Sequence, residues 1–137
     1  MRLVTGRIVR LATQDLIAIR LGYPYKSVSY IRGSYVSAPA AGSVLASYTV
    51  PAGYRGAIIA VLLDATEGNY FDIEWTSGGT TRSYRVRLPS DGVIVYDFTP
   101  GLNLDLPADG NTAIQVKNVN AGTAGSSYKV DLFVGLW

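Results

Sequence analysis

Apolar and polar positions along this chain fall into short runs separated by turn clusters. From about residue 37 onward the clusters are 39–42, 51–53, 67–69, 77–80, 89–92, 100–101, 107–111 and 120–127, built from Gly, Pro, Asn, Asp and Ser. Between them lie runs rich in Val, Ile, Tyr and Phe. Short β-type runs with regular turn signals are the pattern of a sandwich or barrel. The pattern predicts eight strands, at about 43–50, 55–64, 69–76, 80–88, 92–98, 102–106, 112–119 and 127–136.

One hairpin is predicted down to its register. In "NYFDIEWTSGGTTRSYRVRLP" the pair Gly78-Gly79 separates two alternating runs. A two-residue glycine loop favours a type I′ turn, because both positions need positive φ. Partner numbers then sum to 157, so Phe71 faces Val86, Ile73 faces Tyr84 and Trp75 faces Arg82. The opposite face sets Asp72 against Arg85 as a cross-strand ion pair and Glu74 against Ser83. Apolar and charged faces agree across both strands, which pins the pairing.

The run 57–63, "AIIAVLL", neither alternates nor shows helical spacing. It predicts a strand buried on both sides, one face on the opposing sheet and the other under the amino-terminal segment or a neighbouring subunit. A buried helix is the competing local reading, but the segment is short for one between two turn clusters. The expected core comprises Ile59, Val61, Leu63, Phe71, Ile73, Trp75, Tyr84, Val86, Tyr96, Phe98 and Phe133.

Residues 1–36 differ from the rest. They mix short alternation ("RIVRLATQ"), an apolar patch ("LIAIRL") and a Tyr-rich polar stretch. "TQDLIAIRL" suits either a strand or one or two helical turns capped by Thr13 or Asp15. The segment reads as an arm, 1–36, lying over a sandwich domain, 37–137, or over a neighbour. Its candidate contact residues are Arg7, Arg10, Arg20, Tyr23, Tyr25, Tyr30, Arg32 and Tyr35.

Charge sharpens that division. Residues 1–36 carry six basic residues and one acid, and residues 37–137 carry six basic and nine acidic residues. A net +5 arm faces a net −3 body. The arm's charges are spaced among Ile, Val, Leu and Tyr, which favours docking on an acidic partner, including another copy. A solvated face is the next reading, and nucleic-acid phosphates, which attract denser basic clusters, are the least favoured. The four arm tyrosines suit packing on a protein surface better than stacking on sugars.

Composition narrows the function classes. Charged residues are only 16% of the chain while hydrophobic residues are 48%, against a usual charged share of about 25%. A subunit whose surface is partly covered by neighbours would show this shortage. There is no Cys and no His, which removes disulfides, thiolate metal sites and the usual neutral-pH base, and with them the familiar catalytic triads. Arg exceeds Lys and Met occurs once, a pattern expected of a thermostable protein. Arg7 and Arg10 interrupt what would be a secretion signal, and 57–63 is too short to span a bilayer. A soluble chain without a signal peptide or membrane span is expected.

The remaining chemistry is sparse. Asp72 and Glu74 share a strand face like a glycosidase pair, but their predicted cross-strand partners favour a surface ion ladder. Asp105, Asp109 and Asn111 lie near one turn and are oxygen ligands of the type Ca²⁺ takes. A plain turn, where Asp, Gly and Asn are expected anyway, is favoured. No catalytic residue, cofactor or metal ligand is assigned, and an enzyme is not expected.

Three stretches carry a family resemblance: "YTVPAGYRGAII" (48–59), "DGVIVYDFTPGLNLDLP" (91–107) and "YKVDLFVGLW" (128–137). Through them the body, about 43–137, resembles the small jelly-roll domains of virion structural proteins, namely decoration, cement and minor capsid proteins of phages and archaeal viruses. The resemblance implies an all-β, eight-stranded jelly-roll-like β-sandwich with an N-terminal arm that laces subunits together. It also implies a non-enzymatic capsid or decoration subunit in the virion, forming a homo-oligomer (trimer or pentamer) and touching other capsid proteins. The alternative from the same fold is a carbohydrate- or receptor-binding β-sandwich module.

Overall fold

The computed structural model describes residues 25–137, which contain nine β-strands and no helix. The strands are β1 (Ser27–Ile31), β2 (Val36–Ser37), β3 (Val44–Thr49), β4 (Gly56–Ala65), β5 (Asn69–Ser77), β6 (Thr80–Leu88), β7 (Gly92–Asp97), β8 (Ala113–Asn118) and β9 (Ser127–Leu136). They form two antiparallel sheets packed as an all-β sandwich. Sheet A has the order β1-β9-β4-β7, with the two-residue β2 also paired to β9, and sheet B has the order β3-β8-β5-β6. The chain repeatedly crosses between the sheets, so most neighbours within a sheet are distant in sequence.

The Gly78-Gly79 hairpin has the expected register, from Asn69↔Leu88 to Ser77↔Thr80. Both glycines have positive φ, as the turn requires. Phe71, Ile73, Trp75 and Val86 enter the core. Tyr84 is a correction: it lies on the inward side but is 48% exposed. Among the described residues β6 is the last strand of sheet B, so its middle residues have one strand beside them. The Tyr84 ring instead stands edge-on to Phe98, 5.9 Å away, at the rim of the sandwich.

Two further boundaries move. The predicted strand at 102–106 is a loop, and the sheet gains β1 from within the predicted arm. The arm's last third therefore pairs with β9, Ser27↔Leu136 through Ile31↔Leu132. The loop passes over the start of β4, beyond Ala60↔Asp97 where the ladder with β7 stops, and beside a register shift between Ile58 and Ala60 in the ladder with β9. There the buried Asn103 side chain replaces a strand partner. Its Oδ1 accepts from the Ile58 N–H at 2.8 Å, and its Nδ2 donates to the Gly56 carbonyl at 3.1 Å. The Leu102 N–H adds a bond to the Ile58 carbonyl at 2.9 Å.

β4 also shows what covers the seven-residue apolar run. Ile58, Val61, Leu63 and Ala65 join the core between the sheets. At the strand's start Ala57 and Ile59 are buried outside that cluster, with Gly101 of the 100–103 loop close over Ala57. Farther along, Ala60 and Leu62 remain only half-buried. The body's own loop covers half of the outer face.

Candidate functional site

The two outward faces of the sandwich are unlike. On sheet B the alternation of β5 sends Tyr70, Asp72, Glu74 and Thr76 outward, opposite the buried Phe71, Ile73 and Trp75. Asp72 meets Arg85 in a bidentate pair, with Nε–Oδ1 2.8 Å and Nη2–Oδ2 3.0 Å. Glu74 pairs with Lys117 at 2.9 Å, and Arg87 lies over the Tyr70 ring at 5.7 Å. The predicted Asp72–Arg85 pair is present, and Glu74, which faces Ser83 as expected, is held by Lys117 of β8, which was not foreseen. Exposed pairs of this kind contribute little stability but keep a face wettable.

On sheet A the outward residues are mostly apolar. Register places Val28 and Tyr30 of β1, Phe133 and Gly135 of β9, Ala60 and Leu62 of β4, and Val93 and Val95 of β7 on one side. Val93 is 59% and Val95 54% exposed. Among the described residues β7 is an edge strand, and a free edge presents unpaired backbone groups. Phe133, expected in the core, is thus corrected to the outer face, where Tyr30 stacks on it at 4.6 Å. Tyr96 and Phe98 are half-buried and pack on the margin of the core, while Ile59, Val61 and Leu63 are buried as expected.

The described arm residues close over the β9 side of this face. Tyr25 lies against Gly135, where an added Cβ would come within 2.9 Å of its ring, so only glycine admits this approach. Its hydroxyl donates to the Pro100 carbonyl, and its ring packs beside Trp137 at 5.7 Å. Tyr35 reaches Asp64 at 2.5 Å, with Lys129 over its ring. Arg32 is exposed. The other arm candidates, Arg7, Arg10, Arg20 and Tyr23, lie outside the described residues.

Asp131 fastens this cover, and no functional role was predicted for it. It is outward-facing yet 3% exposed. Its carboxylate accepts from the Tyr30 hydroxyl at 2.9 Å and the Gly33 N–H at 2.8 Å, and Lys129 lies 3.4 Å away. Burial pushes its carboxyl up, but these three partners outweigh burial and hold it below the usual range. The one signal in the sequence was an acid inside the apolar run "YKVDLFV". A second fastening joins the 66–69 turn to β9. The buried Tyr128 hydroxyl donates to Glu67 at 2.7 Å and accepts from Asn69 Nδ2 at 2.9 Å. The Thr123 hydroxyl and then Tyr128 hold the Glu67 carboxyl low.

The "DLPADGN" turn has a structural task. Asp109 accepts from the N–H groups of Gly78 and Gly79, both at 3.0 Å, which caps the hairpin and holds its carboxyl low. Among the described residues no group of three His, Cys, Asp or Glu is placed to hold a metal ion. Trp75 is buried, with Nε1 donating to the Leu106 carbonyl at 2.8 Å. An open groove of about 390 Å³ lies elsewhere, lined by Tyr70, Arg87, Pro89 and Asn120 among others. Among the described residues no helix is long and apolar enough to cross a membrane.

No protein-family model matches this chain, and a search of the curated proteins finds no match.

Proposed function

We propose that the chain is a non-enzymatic structural subunit of a virion, a capsid or decoration protein whose sandwich is a jelly roll. The observation that carries this reading is the contrast between the two sheets. Sheet B is ion-paired and wettable, and sheet A exposes Val93 and Val95 next to the half-buried Leu62, along a strand edge that is free among the described residues. A subunit set in a shell needs one face for solvent and another for its neighbours. The strand orders β1-β9-β4-β7 and β3-β8-β5-β6 support the jelly-roll part, since that fold winds eight strands into two sheets by two Greek keys. Each contact in such an assembly is modest, and closed symmetry multiplies it.

Sedimentation equilibrium of the full chain tests the assembly. A closed oligomer is expected, trimer or pentamer, persisting over a wide concentration range. Monomer alone at high concentration would overturn the proposal. The alternative, a carbohydrate- or receptor-binding module, has one feature in its favour: the Tyr70–Arg87 groove presents an aromatic ring and a guanidinium together. The burial of Trp75 weighs against it, because that ring is withdrawn from any ligand.

A further inference from the structure

Sheet A ends in two strands whose outer edges are open among the described residues, β1 on one side and β7 on the other. We infer that these two edges pair with each other between copies, β7 of one copy running antiparallel to β1 of the next. The inference rests on the assembly reading and names its contact.

Backbone groups decide whether such pairing is possible, because they point alternately to the two sides of a strand. The Phe98 N–H donates to the Ile59 carbonyl at 2.7 Å, one bond past the end of β7 in the same pattern as the β4–β7 ladder. Phe98, Tyr96 and Ile94 therefore turn their groups to β4, and Val93, Val95 and Asp97 turn theirs to the free side. On the β9 side, Trp137 exchanges two bonds with Arg55, and the Ser127 carbonyl accepts from the Thr66 N–H. The odd-numbered residues of β9 thus serve β4, and the even-numbered ones serve β1. Leu136, Val134 and Leu132 pair with Ser27, Ser29 and Ile31, which leaves the groups of Val28 and Tyr30 on the free side. Neither strand contains Pro or Lys, which commonly blunt an edge. The β6 edge of sheet B differs, because the Tyr96 hydroxyl occupies the Arg87 N–H and carbonyl.

Direction and sequence then select the partner. β1 is antiparallel to β9, β9 to β4 and β4 to β7, so a sheet continued in the same sense sets β7 antiparallel to the next β1. The register that opposes Val95 to Val28 also opposes Val93 to Tyr30, Asp97 to Lys26 and Asp91 to Arg32. The free backbone groups of both strands then meet, their outward apolar residues form one strip, and opposite charges close both ends. Pairing either strand with its own copy does worse. Two β7 strands in full overlap set Asp91 against the second copy's Asp97, and two β1 strands set Lys26 against the second copy's Arg32. Both arrangements oppose like charges, which is destabilising. Arg32 and Asp91 are exposed and form no ion pair among the described residues. A contact between two different edges is head-to-tail, the kind that closes into rings.

Charge reversal on the full chain tests it. R32E, D91R and the R32E/D91R double variant are compared with the parent by sedimentation velocity over a range of concentrations. Each single reversal sets like charges across the contact and should weaken the assembly by about tenfold or more. The double variant should recover most of that loss, because the pair is restored with its signs exchanged. V95P is a second probe. It removes an N–H from the free side, where no bond within the fold is lost, so it should dissociate the assembly while its melting temperature changes little. Single variants that assemble as the parent does, or a double variant no better than the singles, would overturn the inference and leave the assembly reading standing. V95P assembled as tightly as the parent would do the same. A parent that is monomeric at high concentration would remove the assembly reading, and this inference with it.

Discussion

Replacing Asn103 by Ala lowers the melting temperature by roughly 8 °C. The side chain is 1% exposed and serves two backbone groups of β4, the Ile58 N–H and the Gly56 carbonyl. Alanine leaves the Ile58 N–H buried and unpartnered, while the Gly56 carbonyl keeps the Ala108 N–H at 2.9 Å. One such group costs about 1–3 kcal/mol, so a loss of about 2 kcal/mol is expected. At this chain length each kcal/mol corresponds to about 3–5 °C. Asn103→Asp separates the two bonds. It keeps the acceptor for Ile58 but sets a carboxylate against the Gly56 carbonyl, so it should be at least as damaging near neutral pH. Calorimetry on the three proteins decides. A change of less than about 2 °C in Asn103→Ala would mean that the loop 100–103 is not what satisfies this end of β4.

The same residue explains why one predicted strand was absent. Leu102, Leu104 and Leu106 alternate with polar residues as a strand's would. What holds the segment, however, is a side-chain amide imitating a peptide group at a break in pairing, and no periodicity records that. The hairpin was legible because its register depends on local chemistry: two glycines for the turn and two faces that agree. β1 was hidden for the opposite reason. "SVSYI" is short and sits in a stretch rich in Tyr, Ser and Gly, and it is a strand because β9 offers an edge to pair with. Tyr84 and Phe133 show a further limit. Alternation says which side a residue takes, but not whether the sheet extends far enough to cover it, or which side of a doubly apolar strand is the core.

The candidate surface was legible in part. The unbroken apolar run of β4 signalled a strand with something on both faces, and the loop covers its first half while Ala60 and Leu62 stay partly open. The exposed valines of β7 were not foreseen as a surface. "GVIVYD" has apolar residues on both alternating sides, and only the sheet order reveals β7 as an edge. Asp131 could have been suspected as an acid in an apolar strand. Its partners Tyr30 and Gly33 lie about a hundred residues away in sequence, and pairing at that distance leaves no local trace.

Acid should loosen the fold through these carboxylates, and Asp131→Asn should blunt the response. Glu67, Asp109 and Asp131 all have folded values below the ordinary carboxylate range. For a depressed acid the unfolded chain binds protons first as pH falls. The stabilisation is thus complete above about pH 5 and is lost as pH drops through the folded values. The melting temperature should be flat from neutrality to about pH 5 and decline below it. Asp131 is the most buried of the three and ties Tyr30 and Gly33 to β9, with Lys129 of the same strand 3.4 Å away. Asn at this position can still accept from the Gly33 N–H, but its NH₂ group cannot accept from Tyr30 or attract Lys129. The variant should melt lower near neutral pH, show a shallower acid decline, and converge on the parent at the lowest pH. Scanning calorimetry of both proteins from pH 7 to pH 2 reads all three features. Parallel curves with a constant offset would mean that the Asp131 charge does not secure the β1 edge, and that the fastening rests on the stacked Tyr30 and Phe133 rings instead.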